Sequence, residues 1–352
     1  MNDDPGATAL PDTAVATPLD DFRALALAPA PDHLGAIEAT RARESQLTKP
    51  PGSLGRLEEI AAWLAATTGQ APPKVDRPRV VIFAAAHGVA EEGVSAYPPS
   101  VNPQMLAAFR AGKAAINQIC SAGGIGLSVF DLAVDVPSGN IAVEDAFDSD
   151  RALAATLAFG LEAIAGGVDC LGIGEMGIGN TTVAAALYAA LFGGEVADWV
   201  GAGTGLDTEG MARKADVVAR AVARSGVGPA SDPLAALQSL GGRDVAGMVG
   251  AILAARAERV PVVVDGFVAT AAAAVVQKLS PDAISHCLFA HRSAEAGHAA
   301  ALEAMGVKPV LDLDMRLGEG TGAALAIGIV KAAAACHAGM ATFAEAGVDG
   351  PA

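Results

Sequence analysis

The stretch VDCLGIGEMGIGNTTVAAALYAALF (168–192) joins a short apolar run, a glycine-rich turn and an alanine-rich segment. The run VDCLGI (168–173) has the length and composition of a buried strand, and the apolar segment at 180–192 is long enough for a helix. Such runs and segments alternate from about residue 79 onward, which is the pattern of βαβ units around a parallel sheet. The sequence therefore predicts an α/β protein with a three-layer α/β/α, doubly wound fold around a mainly parallel sheet. A small helical subdomain is expected from the two chain ends.

Seven apolar runs are predicted as strands. They are RVVIFAA (79–85), GLSVFD (126–131), VDCLGI (168–173), VADWVG (196–201), PVVVD (261–265), ISHCLF (284–289) and PVLDLD (309–314). Helices are predicted over 101–120, 151–166, 180–192, 210–224, 244–258 and 322–337. Glycine and polar residues concentrate directly after nearly every predicted strand. Because doubly wound sheets bind ligands outside the carboxyl ends of their strands, we expect the active site at that edge.

The chain divides into three predicted regions. Residues 76–329 carry the alternating pattern and are expected to form a Rossmann-like catalytic domain. Residues 21–75 are mostly helical and are expected to form the small subdomain together with a C-terminal helix at 330–347. Residues 1–20 are acidic and rich in proline, without a basic n-region. We interpret them as a disordered tail and not as a secretory signal.

Composition restricts the classes of partner. Hydrophobic residues make up 52% of the chain and charged residues 18%, as in soluble globular proteins, and glycine or charge interrupts every apolar run of transmembrane length. The formal net charge of −16 argues against nucleic acid, whose phosphates require a basic surface. The four cysteines are isolated and form no C-x-x-C pair, which is typical of a reduced, cytoplasmic protein. Neither a membrane nor a nucleic-acid partner is expected.

Two glutamates lie between glycines at the ends of apolar runs. They are Glu175 in GEMGIGNTT (174–182) and Glu319 in GEGTG (318–322). A tight glycine turn beyond a buried strand holds a carboxylate rigidly and leaves backbone N–H groups free for a ligand. A carboxylate held in this way can act as a general base. Both motifs in one chain indicate an enzyme that acts on a phosphorylated substrate.

The turn GEMGIGNTT differs from a nucleoside triphosphate loop at a decisive position. A Walker motif requires Lys where Asn180 stands, because that Lys reaches the β- and γ-phosphates. The backbone N–H groups from Gly177 through Gly179 to Thr181 can still hold a monophosphate at a helix N-terminus. A plain strand–turn–helix is the alternative, but it does not require three glycines and a glutamate.

A second glycine-rich turn, AGTGLDTEGMARK (202–214), contains Gly203 and Thr204 and leads into a helix that carries Lys214. Taken alone, Lys214 is interpreted as a solvated surface charge. Beside the first turn, it can supply the point charge that a phosphate requires. The two turns together therefore predict a phosphate site.

The segment VSAYPPSVNPQM (94–105) offers Ser95, Tyr97 and Gln104 between prolines. An aromatic face with hydroxyl and amide groups suits a planar heterocycle, although an ordinary surface loop is the alternative. An apolar helix follows this loop and carries Met105, Leu106, Phe109 and Ile116. This pattern predicts a dimer in which residues 94–119 contribute to the interface.

No metal site is expected. His87, His291 and His298 lie in loops of the predicted active edge, but no H-E-x-x-H or Cys/His spacing accompanies them, so we interpret them as structural hydrogen-bonding residues. Asp312 and Asp314 invite comparison with the adjacent acids of Mg²⁺- and PRPP-dependent phosphoribosyltransferases. Here one residue separates the two acids, and we interpret them as satisfying polar groups at a strand end.

Taken in order, the motifs resemble the nicotinate-nucleotide:dimethylbenzimidazole phosphoribosyltransferase family, which activates the lower-ligand base of cobalamin. The matching segments are LTKPPGSLGRLEEIA (47–61), HGVAEEGVSAYPPSVNPQM (87–105), GEMGIGNTT (174–182), GTGLDTEGMARK (203–214), GGRDVAGMVG (241–250), PVVVDGFVATAAA (261–273), HRSAEAGH (291–298) and LDLDMRLGEGTGAALA (311–326). The resemblance runs from about residue 35 to residue 340, and several of the motifs are long and specific.

The resemblance implies a homodimeric enzyme with no cofactor. It implies transfer of phosphoribose from nicotinate mononucleotide to 5,6-dimethylbenzimidazole, with α-ribazole 5′-phosphate and nicotinate as products. By the same resemblance Glu319 is the general base, Glu175 and Lys214 are active-site residues, and the two glycine-rich turns hold the phosphate. The positions that match the family's pocket for the aromatic base are Ser95, Tyr97, Gln104 and Leu317.

Three positions depart from the family pattern. Ala86 stands where the family usually has Asp, Asp244 replaces the commoner Glu, and Asn102 stands where Thr is frequent. The missing Asp leaves the identity of the accepted azole open. Two rival functions also remain open at this point: a Mg²⁺- and PRPP-dependent phosphoribosyltransferase or nucleotide hydrolase, and a non-catalytic nucleotide sensor.

Overall fold

The computed structural model describes residues 17–29 and 33–350. In this part of the chain, five parallel strands form one sheet in the order β2-β1-β3-β4-β5. The strands are β1 Pro78–Ala84, β2 Gly126–Asp131, β3 Cys170–Met176, β4 Val262–Val264 and β5 Cys287–Phe289. The strand order reverses between β1 and β3, and doubly wound sheets bind their ligands at such a switch point.

α-Helices precede, connect and follow these strands. They are α1 Asp20–Leu27, α2 Leu34–Glu44, α3 Arg56–Thr68, α4 Val101–Arg110, α5 Ala115–Gly123, α6 Asp150–Gly160, α7 Asn180–Phe192, α8 Val196–Trp199, α9 Thr208–Ser225, α10 Pro233–Leu240, α11 Arg243–Ala257, α12 Phe267–Leu279, α13 Ala296–Met305, α14 Thr321–Gly339 and α15 Phe343–Ala346.

The sheet separates two hydrophobic cores, because successive side chains of a strand point to opposite faces. In β1, Val81 and Phe83 join a core built with α6, α7, α11 and α12. Val80 and Ile82 join a second core built with α3, α5 and α14. Helices therefore cover both faces, and the three-layer α/β/α fold predicted from the sequence is confirmed.

The strand predicted at 196–201 is wrong. Its first residues form the short helix α8, and Trp199 stacks on Tyr188 of α7 with ring centroids 5.6 Å apart. The indole N–H of Trp199 donates to the carbonyl oxygen of Gly193 at 2.8 Å. The apolar residues of this run are buried by packing against a helix, and an apolar run this short does not distinguish that from pairing in a sheet.

The strand predicted at 309–314 is also wrong. This segment runs beside the chain that follows β5 and pairs there through one bridge, between Leu311 and His291. Asp314 adopts a φ of +55°, a left-handed conformation that cannot continue a strand. The helix predicted over 101–120 is divided into α4 and α5, with Gly112 at a φ of +70° between them.

The chain ends contribute helices to different faces of the sheet. Helices α2 and α3 pack together and α3 packs against α14, whereas α1 packs against α11 and α12 on the opposite face. The long C-terminal helix begins at Thr321 and not at residue 330. Residues 1–16 of the predicted tail lie outside the described residues, and α1 begins at Asp20. The division into a catalytic domain and a helical subdomain stays a prediction.

Helix α14 is long and apolar enough to cross a membrane by length and composition alone, and half of it is buried inside the fold. Its buried side chains, among them Ile327 and Val330, belong to the core shared with α3 and α5. A core helix passes the same test. The apolar character of α14 is therefore accounted for by its packing.

Glycines allow α6 and α11 to approach each other at the level of the backbone. A Cβ atom at Gly250 would overlap the carbonyl oxygen of Leu157, and one at Gly160 would overlap that of Gly247. Backbone atoms at a helix crossing cannot move aside without separating the helices. The close crossing of α6 and α11 thus depends on the absence of side chains at these positions.

We expect Gly250→Ala to lower the free energy of unfolding by about 1–3 kcal/mol, since overpacking a close contact forces the backbone to shift. The matched control is Gly328→Ala in α14, where a Cβ would meet no heavy atom of the described residues within 4 Å. That control should be neutral or stabilising, because Ala is the better helix former. Urea denaturation of both variants measures the difference, and equal stabilities would contradict the close crossing.

Candidate active site

A cavity of about 520 Å³ opens at the carboxyl edge of the sheet, beside the switch point between β1 and β3. The residues that line it come from six segments: Tyr97; Glu175, Met176, Gly177, Ile178, Asn180 and Thr181; Gly203 and Thr204; Gly266, Phe267 and Val268; His291, Ser293 and Glu295; and Arg316, Leu317, Gly318 and Glu319. A second cavity of about 590 Å³ lies at the opposite edge, where Arg77, Asp169 and Val260 line it. It contains none of the predicted site residues, so the chemistry belongs to the first cavity.

Glu175 lies within β3, which extends to Met176, and not in the turn beyond the strand as the sequence suggested. One of its carboxylate oxygens accepts a short hydrogen bond from the side-chain amide of Asn180. The same amide also donates to Asp244 at 3.1 Å. Burial raises the pKa of Glu175 to about 8, and the charge of Asp244 adds to this rise. Glu175 therefore holds its proton at neutral pH.

Glu319 occupies a strained turn. Its φ is +62°, between Gly318 at +81° and Gly320 at +76°, and a left-handed residue with a Cβ costs roughly 1–2 kcal/mol. The hydroxyl of Thr321 donates to the carbonyl oxygen of Gly318 at 2.8 Å and closes the turn. Only 7% of Glu319 is exposed. Strain that the surrounding structure maintains is a common feature of functional sites.

Both glutamates line the cavity, and both have raised pKa values. Burial raises the pKa of Glu319 to about 7, with a contribution from the charge of Asp265. Both carboxyls therefore titrate near neutral pH, and because their charges interact, the proton affinities belong to the pair.

The predicted phosphate turn lies between β3 and α7. Gly177, Asn180 and Thr181 line the cavity, whereas Gly179 does not. Gly179 has a φ of +99°, and a Cβ atom there would point away from the cavity lining to within 3.3 Å of Val89. The N–H of Ile178 donates to Asn102 at 2.9 Å. The turn is thus held from behind by a buried amide, and its cavity side remains available to a ligand.

Lys214 is buried beneath both glycine-rich turns and does not line the cavity. Its ammonium donates to the Thr181 hydroxyl at 2.8 Å and to the Gly201 carbonyl at 3.1 Å, and it lies 3.9 Å from Glu295. Glu295 accepts in turn from the N–H of Gly203. Burial lowers the pKa of Lys214 to about 8 against the opposing effect of Glu295. The lysine is charged at neutral pH and joins the two turns.

The residues predicted for the aromatic base are only partly brought together. Tyr97 and Leu317 line the mouth of the cavity, and each is 55% exposed. Ser95 lies behind this surface, with its hydroxyl 3.1 Å from that of Thr204. Gln104 is exposed on α4 and does not line the cavity.

Several lining residues were not selected from the sequence as site residues. They are Phe267 and Val268 after β4, Ser293 and Glu295 after β5, and Arg316, which donates to the carbonyl oxygen of Gly203 at 3.1 Å. The rule that ligands bind beyond the carboxyl ends of parallel strands would have found the first four. The same rule applies to Arg316, which follows the strand predicted at 309–314.

The three histidines have different surroundings. The Nδ1 atom of His298 accepts from the N–H of Ser293 at 2.8 Å, and Nε2 lies 3.0 Å from the Thr270 hydroxyl. Burial lowers the pKa of His298 to about 3, so it is a neutral, structural residue. His87 lies 3.2 Å from Asp244, and His291 lines the cavity. Among the described residues, no group of three or more His, Cys, Asp or Glu is arranged to hold a metal ion.

Comparison with known proteins identifies the family. A family model described as "Phosphoribosyltransferase" matches residues 29–348. A Brucella anthropi protein named nicotinate-nucleotide--dimethylbenzimidazole phosphoribosyltransferase is 59% identical over 96% of this chain and 99% of its own length. A Rhizobium johnstonii protein of the same name is 60% identical over 94% and 97%.

Solved structures agree with this assignment. The crystal structure of the enzyme of that name from Thermus thermophilus superposes with a TM-score of 0.84 at 41% identity, covering 90% of this chain and 99% of that one. Fold, motif order and sequence identity over nearly the full length point to one family. The chain belongs to the nicotinate-nucleotide:dimethylbenzimidazole phosphoribosyltransferase family.

Proposed function

We propose that the protein transfers phosphoribose from nicotinate mononucleotide to 5,6-dimethylbenzimidazole, giving α-ribazole 5′-phosphate and nicotinate for the lower ligand of cobalamin. The observation that carries this proposal is the pairing of Glu175 and Glu319 in one cavity with two glycine-rich turns. The names of the relatives support the substrates. Buried carboxyls that titrate near neutral pH suit a reaction in which a neutral azole must lose a proton.

The chemistry requires one bond exchange and one proton transfer. An azole ring nitrogen attacks C1′ of the ribose while the bond to the pyridinium nitrogen breaks, and its electron pair remains on nicotinate. The other azole nitrogen gives its proton to Glu319. Positive charge develops at C1′ in the transition state, and the nearby carboxylate stabilises it. Attack from the face opposite nicotinate converts the β-glycosidic bond into an α-glycosidic bond.

The phosphate of the nucleotide is proposed to lie against the two turns that contain Gly177, Gly179, Asn180, Thr181, Gly203 and Thr204. Lys214 lies beneath these turns, where it donates to Thr181 of the first and to the carbonyl oxygen of Gly201, directly before the second. Its charge therefore favours an anion above it and fixes the spacing of the turns. The benzimidazole is proposed to occupy the mouth of the cavity near Tyr97 and Leu317, with Ser95 holding the loop and Gln104 outside the lining.

Incubation with nicotinate mononucleotide and 5,6-dimethylbenzimidazole, followed by chromatography, tests the function. Both α-ribazole 5′-phosphate and nicotinate should appear, in excess EDTA as well as without it. Loss of activity in EDTA would favour a Mg²⁺-dependent phosphoribosyltransferase. Binding of the nucleotide without release of nicotinate on addition of the azole would favour a nucleotide sensor. Glu319→Gln should lower turnover by roughly 10²–10⁴-fold, the usual contribution of a positioned general base.

The pH dependence of the same reaction locates the base. Because Glu319 must be ionised and its pKa is about 7, kcat/KM should fall with decreasing pH below about 7, and Glu319→Gln should abolish this acid limb. The exposed Glu303→Gln serves as control and should behave as wild type. A Glu319→Gln variant that retains more than about a tenth of wild-type turnover, well above what the loss of a base leaves, would show that Glu319 is not the base.

Removing the charge of Lys214 should weaken nucleotide binding. We expect Lys214→Met to raise the Michaelis constant for nicotinate mononucleotide more than it lowers kcat, because a phosphate remote from C1′ is bound in both ground and transition states. The double variant Lys214→Met/Glu295→Gln avoids leaving a buried carboxylate unpaired. An unchanged Michaelis constant in the folded double variant would remove Lys214 from phosphate binding.

We propose that the protein is a homodimer to which residues 94–119 contribute. The apolar side chains first taken as the reason are mostly accounted for within one chain, since Leu106, Phe109 and Ile116 are buried. The remaining support is the exposed aromatic ring of Tyr97. Sedimentation at micromolar concentration should show a dimer that Tyr97→Asp weakens, whereas Val143→Asp, at a site 65% exposed, leaves it intact. A fully active wild-type monomer would refute the dimer.

We further propose that the protein acts in the cytoplasm. The cysteines of the described residues are free, and burial raises the pKa of the Cys120 thiol to about 11. Such thiols are inert and suit a reducing compartment. Cell fractionation with an antibody against the protein would test this location.

A further inference from the structure

Asp265 is a buried carboxylate for which the proposed reaction has no direct use. It follows β4 directly, and 1% of it is exposed. One oxygen accepts from the N–H of Ala323 at 2.8 Å, and the other accepts from the N–H of Gly320 at 3.1 Å. Both donors belong to the N-terminus of α14, more than fifty residues further along the chain.

These contacts provide the cap that α14 cannot supply for itself. The residue at the N-cap position is Gly320, which has no side chain to accept from the first N–H groups of the helix. Asp265 takes this role from a neighbouring strand. The Glu319 turn immediately precedes the capped N–H groups, so its position is tied to the end of β4.

Glycines also allow the turn that carries Glu319 to contact the sheet directly. A Cβ at Gly174 of β3 would overlap the backbone of Gly320, and a Cβ at Gly320 would come within 2.7 Å of Val80. The turn is therefore held on one side by backbone contact and on the other by the Asp265 carboxylate. A loosened cap would allow Glu319 to leave its left-handed conformation, which has a cost that the contacts must offset.

Asp265 is also part of the electrostatic environment of Glu319. The charged or titratable groups that line the cavity with Glu319 are Glu175 on β3, His291 and Glu295 after β5, and Arg316 on its own segment. Asp265 after β4 does not line the cavity but acts on Glu319 through its charge. The charge of Asp265 contributes to the raised pKa of Glu319 after burial. The Nδ1 atom of His291 lies 3.9 Å from Asp265 and has no hydrogen-bond partner among the described residues.

We propose that Asp265 is a positioning residue that acts through Glu319, capping α14 so that the Glu319 carboxylate is fixed at the azole proton. The proposal rests on the role of Glu319 proposed above. It assigns Asp265 no contact with substrate. Its effect on the reaction must therefore disappear when Glu319 can no longer accept a proton.

The test is Asp265→Asn in the wild-type and the Glu319→Gln backgrounds. In the wild type we expect turnover to fall by about 10²-fold, the effect of a small misplacement of a catalytic group. In the Glu319→Gln background the same change should have little further effect, since residues that act as a unit are not additive. The acid limb of kcat/KM should also move to lower pH, because a negative charge next to Glu319 is removed.

Two further variants complete the test: one checks for misfolding, and the other is a matched control. Asp265→Ser leaves space for a water molecule at the freed N–H groups and should show the same pattern, with folding checked by circular dichroism and by affinity for nicotinate mononucleotide. Asp312→Asn is the matched control, because Asp312 is an exposed acid paired with Arg292 at 2.8 Å. It should leave both turnover and the acid limb unchanged.

The outcomes separate this proposal from the proposed function. A folded Asp265 variant with wild-type turnover and an unmoved acid limb, beside a slow Glu319→Gln, would overturn the role of Asp265 alone. An equal loss in both backgrounds would also overturn it, since Asp265 would then support the site generally. A Glu319→Gln variant as active as wild type would instead overturn the role of Glu319 in the reaction.

Discussion

The site depends on the direct packing of two backbone segments, the end of β3 and the turn that carries Glu319. No side chain separates them, because Gly174 and Gly320 meet where a Cβ on either would overlap its neighbours. This contact brings Glu319 to the central strands of the sheet, beside Glu175. The switch point between β1 and β3 supplies the crevice, and the glycine contact determines which carboxylates face it.

Burying several carboxylates together has an energetic consequence. The pKa of Glu175 and of Glu319 in the folded state, about 8 and about 7, exceeds the ordinary value of 4.5. The folded state therefore binds these protons more tightly than the unfolded chain. Their contribution to stability is greatest below pH 4.5 and declines as pH rises through 7 and 8. Stability near neutral pH is therefore reduced by the same burial that raises these two pKa values.

Charge is distributed differently inside the site than over the whole chain. The formal net charge is −16, yet the two turns proposed to hold a phosphate rest on the buried ammonium of Lys214. Screening over about 8 Å at physiological ionic strength limits the influence of distant surface charge. A single buried cation and a set of backbone N–H groups can therefore receive an anion in an acidic protein.

The sequence alone determined the alternation of strands and helices, the parallel three-layer fold and the two glycine-bracketed glutamates, because periodicity and glycine placement are local signals. Tertiary structure decided the rest. It turned the first residues of the strand predicted at 196–201 into helix α8, because Trp199 stacks on Tyr188 of α7. It buried Lys214, which sequence alone could not distinguish from a surface charge. It also joined Asp265 to the N-terminus of α14. Such contacts between residues distant along the chain arise only when the strands assemble, so neither composition nor spacing specifies them.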